Sequence, residues 1–358
     1  DITSGSKNTA LGYQASTNAT CGEQNITIGY NAALAHTEGH YNVVIGSQAH
    51  MCNTTGDNNT AVGYLAGLKN TCNSNSYFGA YAGTCNTTAV YNTAIGYASQ
   101  NYGTTGGGNT SVGYTALYIN NCGGAHNTAL GSFAMVCNTS GSCNVAVGTC
   151  SLCSNTTGGN NVALGFRALC ANTVGTNNIA IGREAGQLTT CSGSVFIGHT
   201  AGASNTTGVN TAIGSEALYT NTDGTENVAV GLQALLNNCT GYQNTAIGHA
   251  ALQCNTTGLR NTGVGCGALL LNTTGDCNVA LGCQAGYSNQ TGNSNVALGS
   301  KALYSSTVGD LLAVGSCALA ANTTGARNTA VGNQSLCSNV CHNDNTSVGI
   351  YALKCSTS

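Results

Sequence analysis

The apolar positions of this chain fall into short clusters, without the stripes of a helix. A five-residue core, Asn-(Thr/Val)-Ala-(Val/Ile/Leu)-Gly, returns throughout, followed by Ala and then by an Asn-Thr-Thr-Gly turn. A clean copy runs from Asn244 to Arg260 as NTAIGHAALQCNTTGLR. Anchored on the glycine that closes the core, the unit occurs 21 times between Gly12 and Gly349. Fifteen of the twenty intervals are 17 residues, four are 16 and one is 18. No linker or shift of composition interrupts the series, which predicts one continuous domain over residues 1–358.

Helical repeats use longer units with apolar residues at a 3.6 period, and a glycine in every unit would cost a helix about 1 kcal/mol each time. The core reads instead as a short β segment closed by a turn. Each unit is then one coil of a parallel β-solenoid, about 4.8 Å from the next. The fold class is all-β, a β-roll of 21 coils and roughly 100 Å by that rise. A single coil cannot bury its apolar face, so the core exists only through stacking. The complete lack of Pro fits, because every interior coil must donate to its neighbour.

Three positions carry more detail. The residue before the anchor glycine is Val, Ile or Leu in twenty units and Phe78 in the other, while the one before that is Ala in fourteen. Bulky and small apolar residues on opposite faces imply that both are covered, one by the coil interior and one by something that approaches closely. Three residues after the glycine stands Ala, or Ser at 99, 151 and 335, so that site has room for one methyl or hydroxyl. An Asn stands four residues before the glycine in all units but two, where Ser194 and Leu311 replace it. It serves either as a rung-to-rung ladder or as a local turn former.

The core motif, as at Asn210 to Ala217, resembles the Ser-Val-Ala-Ile-Gly-x-x-Ser repeat of trimeric autotransporter adhesin heads. It is similar also to the Asn-Thr-Ala-Ile-Gly-Tyr-x-Ala-Leu repeats of phage and viral tail-fibre-like proteins. The resemblance spans all the units and implies a left-handed β-roll, three chains packed side by side, adhering from a surface. The adhesin heads use shorter coils, without the Asn-Thr-Thr-Gly turn. The partners implied are further copies of this chain, as a trimer or an end-to-end filament, and a surface glycan or host-cell receptor. The chain opens directly in repeat sequence and stops just after Ala352-Leu353. Without polar caps, the ends are expected to have lost flanking residues or to stack on one another.

Composition narrows the function. Only 8 Lys+Arg and 11 Asp+Glu occur in 358 residues, with a net charge of −3, which gives no footing for nucleic acid. No apolar run approaches the roughly 20 residues of a membrane helix, so no membrane insertion is expected. The acids are dispersed, no Ser or Cys has a companion His at a motif spacing, and the glycines follow turns. The seven His occupy unrelated registers. No catalytic residue, cofactor or metal is therefore expected, and the chain reads as a non-enzymatic fibre. An ice-binding or carbohydrate-binding solenoid is the alternative. Against the first, Thr in the core alternates with Val145, Val162, Val228 and Val279. For the second, tyrosines cluster just after the anchor glycine (Tyr13, Tyr30, Tyr64, Tyr97, Tyr114) or five after it (Tyr118, Tyr219, Tyr287, Tyr304), on what should be the outside.

The 20 Cys with few charges favour an oxidising, extracellular compartment. In register, Cys72/Cys85, Cys122/Cys137 and Cys239/Cys254 fall on neighbouring coils, while Cys153/Cys170 and Cys266/Cys283 stack directly. Stacked coils lie within disulfide range. Sixteen Asn-x-Ser/Thr sequons occur, ten of them at the turn, including Asn53, Asn138, Asn205, Asn255 and Asn322. A turn at the outer corner of a coil would be well placed to carry glycans. Finally, the coils closing at Gly79, Gly198 and Gly315 each follow a 16-residue interval, with Tyr77-Phe78, Phe196-Ile197 and Leu311-Leu312 as odd residues. That spacing expects seven-coil super-repeats, with a backbone shift or shared contact at each irregular coil.

Overall fold

The computed structural model describes residues 5–354. It divides into two compact units, Asp1–Asn178 and Ile179–Ser358, each a parallel β-solenoid with coils of about 17 residues. Among the described residues the first unit contributes ten three-residue strands to its sheet, from Thr9–Leu11 to Val162–Leu164. The second contributes eleven, from Ile179–Ile181 to Thr346–Val348. No helix occurs among the described residues. The end-capping expectation concerns residues 1–4 and 355–358, which lie outside the described residues.

One coil represents the plan. Thr245–Ile247 pairs in parallel with Val228–Val230 before it and Thr262–Val264 after it, so that Ala246 faces Ala229 on one side and Gly263 on the other. Beyond the strand the backbone keeps bonding its neighbours: Leu252 N donates to Ala268 O at 2.9 Å, Cys254 N to Leu270 O at 3.0 Å and Thr256 N to Thr273 O at 2.9 Å. Three non-glycine residues of the coil, Ala250, Leu252 and Arg260, hold φ near +54°, +52° and +55°. A left-handed conformation costs an L-residue roughly 1–2 kcal/mol. The coil sustains it because this backbone turns Leu252 inward and completes the inter-coil bonds.

Within each coil the small residue of the core points in and the bulky one points out. Ala246, Ala251 and Leu252 are fully buried, whereas Ile247 is 41% exposed. Counting from the anchor glycine, the interior is made by the Asn at −4, the Ala at −2, the Ala at +3, the residue at +4 and the Asn at +7. The side chain at +4 shares one space with the −2 side chain of the next coil, and their sizes compensate. Val44 meets Ala33, and Gly263 meets Leu252, whose Cγ would lie 3.4 Å from an added Cβ. Polar residues at −2 are paired as well: the +4 Ser16 Oγ donates to Thr27 Oγ1 at 2.9 Å, and the +3 serines donate likewise, Ser99 Oγ to Ser111 Oγ at 2.7 Å and Ser335 Oγ to Ser347 Oγ at 2.9 Å.

The −4 asparagines form the ladder. Asn244 N donates to Asn227 Oδ1 and Asn261 N to Asn244 Oδ1, both at 2.9 Å, while Asn244 Nδ2 donates to Gly258 O at 2.8 Å. Each residue thus joins three coils, its main-chain N–H bonding the side chain of the coil before and its own side chain accepting from the coil after. A second ladder stands at +7, where Asn255 Nδ2 donates to Asn238 Oδ1 and Asn272 Nδ2 to Asn255 Oδ1, both at 2.8 Å. Buried amides must be bonded to be tolerated, and here a column of identical residues bonds itself.

The shortened intervals leave strand register unchanged, with Ala61 opposite Tyr77, Ala180 opposite Phe196 and Ala297 opposite Ala313. Where the turn glycine is missing, another carbonyl accepts its bond: Asn59 Nδ2 donates to Cys72 O and Asn295 Nδ2 to Val308 O, both at 2.8 Å. Tyr77 and Phe196 fill the interior where glycine stands at +4 in the same coil and the one before (Gly67 and Gly83; Gly186 and Gly202). Leu311 instead takes the −4 place of an Asn and is buried.

Two histidines also enter the interior, His36 at +7 and His50 at +4, and both are buried. Desolvation, with a smaller push from His36, lowers the His50 pKa to about 3 from the ordinary 6.5. A depressed pKa means that the neutral ring stabilises the fold fully above about pH 6.5 and that this contribution fades as pH falls toward 3. Acidification from pH 7 to 4 should cost the first unit on the order of 3 kcal/mol through this group alone. His50→Leu, which installs the residue other coils carry at +4, should remove that part of the acid sensitivity. Melting curves of both proteins at pH 7 and pH 4 check it, and equal acid shifts in the two would refute it.

Candidate functional site

The outer face of each sheet is a regular surface. Positions −3, −1 and +1 point outward, and over all 21 units they hold a single Lys, Arg, Asp or Glu, namely Arg183. In the first unit Ile45, Phe78 and Ile95 stand 37%, 40% and 40% exposed; in the second Ile213, Ile247 and Leu281 stand 38%, 41% and 42% exposed. One bulky apolar side chain per coil, in register, makes a stripe as long as its sheet. An antiparallel or solvated β face would alternate these with charges.

Aromatic residues sharpen the outer surface of the first unit. Tyr64, Tyr81, Tyr97, Tyr114 and Phe133 form a row with ring centroids 5.3, 5.6, 5.5 and 5.3 Å apart. A shorter row, Tyr102 and Tyr118 at 5.1 Å, runs beside it. A cavity of about 500 Å³ opens between the rows. The second unit has the pair Tyr287 and Tyr304, 5.1 Å apart and nearly parallel at 14°. Of the tyrosines expected on the outside, Tyr13, Tyr30, Tyr64, Tyr97, Tyr114 and Tyr219 are exposed, while Tyr118, Tyr287 and Tyr304 are half-buried.

Cys72, Cys85, Cys122, Cys137, Cys153, Cys170, Cys239, Cys254, Cys266 and Cys283 are free thiols in this structure. Register alone does not aim them at one another. Cys122 Sγ turns to Asn121 Oδ1 at 3.4 Å, Cys239 Sγ to Asn237 O at 3.5 Å and Cys266 Sγ to His249 Nδ1 at 3.7 Å. Cys153 and Cys170 do come together, their thiols in hydrogen-bond contact across adjacent coils. That bond and the guanidinium of Arg167 lower the Cys170 pKa to about 6, against the opposing effect of burial, while Cys153 is raised as the donor. Cys170 should therefore be the first thiol carbamidomethylated by one equivalent of iodoacetamide at pH 7, and Arg167→Ala should slow it. Peptide mapping checks this; preferential labelling of an exposed thiol such as Cys21 would refute it.

The turn asparagines correct an expectation. Asn53, Asn138, Asn205, Asn255 and Asn322 do not stand at an outer corner; each is 0% exposed. Their Nδ2 atoms donate inward, to Gly56 O, Gly141 O, Gly208 O, Gly258 O and Gly325 O at 2.8–3.1 Å. A glycan on Nδ2 would displace that bond and the side chain with it. Sequence reasoning saw the sequon and missed the second ladder, although the regular return of Asn at +7 was its signal.

Among the described residues no three His, Cys, Asp or Glu side chains gather closely enough to hold a metal ion. Compared with known proteins, the sequence matches no family model and no curated protein.

Proposed function

We propose that the chain is a non-enzymatic structural subunit of an extracellular fibre, associating with further copies of itself through the outer face of its sheet. The observation that carries this reading is the apolar stripe, one Val, Ile, Leu or Phe per coil, flanked mostly by Thr or Val at −3 and by tyrosine at +1 in five coils of the first unit. Contiguous exposed apolar surface of this extent on a soluble protein marks an interaction site. A partner with the same repeat supplies a matching stripe at the same rise, so a second and third copy can align coil against coil. The resemblance to adhesin heads and tail fibres favours three chains side by side and adhesion to a glycan or receptor as the role of the fibre.

Native mass by light scattering tests it. The expected value is three times the chain's 35.6 kDa, and Ile213→Lys with Ile247→Lys should lower it by placing charges on the stripe. A single-chain mass at micromolar concentration would overturn the reading. End-to-end stacking would instead give masses that grow with concentration. An ice-binding role draws on a second feature, the rank of Thr at +8, whose hydroxyls bond the next coil at regular intervals, as Thr139 to Thr156 O at 2.9 Å and Thr156 to Thr173 O at 3.0 Å. Thermal hysteresis in dilute protein would favour that role.

A further inference from the structure

The two tyrosine rows of the first unit differ from a simple stack. Tyr97 and Tyr114 lie parallel at 9° and cover one another's faces. Tyr81 stands across the row, at 69° to Tyr97 and 89° to Tyr64, so it stacks face to face with neither neighbour. Tyr102 and Tyr118 cross at 78°. All of these rings except Tyr64 line the cavity of about 500 Å³. In the floor between them, Thr115 Oγ1 is buried and has no hydrogen-bond partner. A buried hydroxyl without a partner is unfavourable, and Thr115 is one of the residues that line the cavity. No lining residue is charged.

We propose that this groove binds a neutral oligosaccharide, with the C–H face of a sugar ring against Tyr81 or Tyr102 and a sugar hydroxyl bonded to Thr115 Oγ1. The chemistry of the lining selects the class. Aromatic faces are apolar and electron-rich, and attract the polarised C–H bonds of a pyranose as they attract the edge of another ring. Tyrosine hydroxyls and the Asn101 side chain ring the same space with polar groups, as a polyhydroxylated ligand requires. An anionic ligand would find no counter-charge, and an apolar peptide would leave Thr115 unbonded. The groove is elongated along the coils, and the ring spacing of 5.1–5.6 Å is about the length of one pyranose unit, so successive sugars can meet successive coils. Tyr97 and Tyr114 stand at +1 on the association face, whereas Tyr81 and Thr115 at +2, Tyr118 at +5 and Tyr102 at +6 stand outside it, so their variants test this binding separately from self-association.

Titration of the full chain with cellohexaose, xylohexaose, mannohexaose and chitohexaose tests it, read by calorimetry and by tyrosine fluorescence, which is clean because the chain has no Trp. At least one should bind at submillimolar concentration, and hexagalacturonate should not. Tyr81→Ala and Tyr102→Ala should each weaken binding on the order of tenfold, and Thr115→Val, which keeps shape and removes the hydroxyl, should weaken it as well. Tyr287→Ala, in the second unit, should leave it unchanged. The proposal is overturned if none of the four binds, if the charged hexamer binds as tightly, or if binding survives the Tyr81→Ala, Tyr102→Ala double variant. Circular dichroism of each variant confirms that the fold is retained, and any variant that has lost it is replaced by Tyr81→Leu or Tyr102→Leu.

Discussion

Gly231→Ala should destabilise the second unit by more than about 3 kcal/mol, although it adds one methyl group. Two independent effects combine. The backbone at Gly231 has φ of +134°, a conformation that side chains of L-residues rarely adopt. A Cβ there would also lie 2.6 Å from the carbonyl oxygen of Gly248 and 2.7 Å from its carbon. That neighbour is backbone, held by the parallel ladder between Val228–Val230 and Thr245–Ile247. It cannot move without breaking strand bonds on both sides. Gly267→Ala is the matched control, because Gly267 has φ of +63° and open space around it, its nearest neighbour being 3.6 Å from the added Cβ. Residues such as Gln233 and Ala250 already hold the same conformation at that place in other coils. Denaturation and hydrogen exchange of the two variants should separate them; comparable stability would refute the account of why the anchor glycine recurs.

Tyr77 and Gly83 should behave as one unit in a double-mutant cycle. Tyr77 is fully buried among Ala61, Ala66, Ala82 and Ala94, and Asn86 Nδ2 donates to its hydroxyl. Tyr77→Ala leaves a cavity and an amide without that partner, at about 3–5 kcal/mol. Gly83→Leu drives a Cβ to 2.2 Å from the ring carbon Cε1 of Tyr77, which has no room to retreat in a packed interior. Its cost should be of similar size. Combined, the two changes restore the small −2 residue and the leucine at +4 that ordinary coils carry, and Gly83 already has the left-handed φ of +61° that Leu252 shows at +52°. The double variant should be more stable than the sum of the singles predicts by at least about 2 kcal/mol. Additive losses would show that the two residues do not share one space.

The sequence by itself determined the coil. A period of 17, a glycine that nothing else replaces and a small residue three places on are backbone constraints, and a one-dimensional repeat displays backbone constraints directly. It also contained the pairing of sizes between +4 and −2, visible as Gly67 beside Tyr77 and Gly186 beside Phe196, once one knows which positions meet. The tertiary structure decided that question, along with direction. Alternation shows that Ala246 and Ile247 lie on opposite faces and not which face is inside. The answer is the small one, because the narrow interior is already occupied by Leu252 and two columns of asparagine. Direction likewise placed Asn138 and Asn255 in the interior as ladder rungs and not at an outer corner, since a sequon specifies chemistry and not where the side chain points. Cysteine pairing depends on direction in the same way. Register sets the distance between Cα atoms, whereas a disulfide also needs the side-chain vectors to converge. The tyrosine groove lies furthest from the sequence, because it depends on ring planes that cross at Tyr81 and on a hydroxyl left unbonded at Thr115, and neither is a property of any single position.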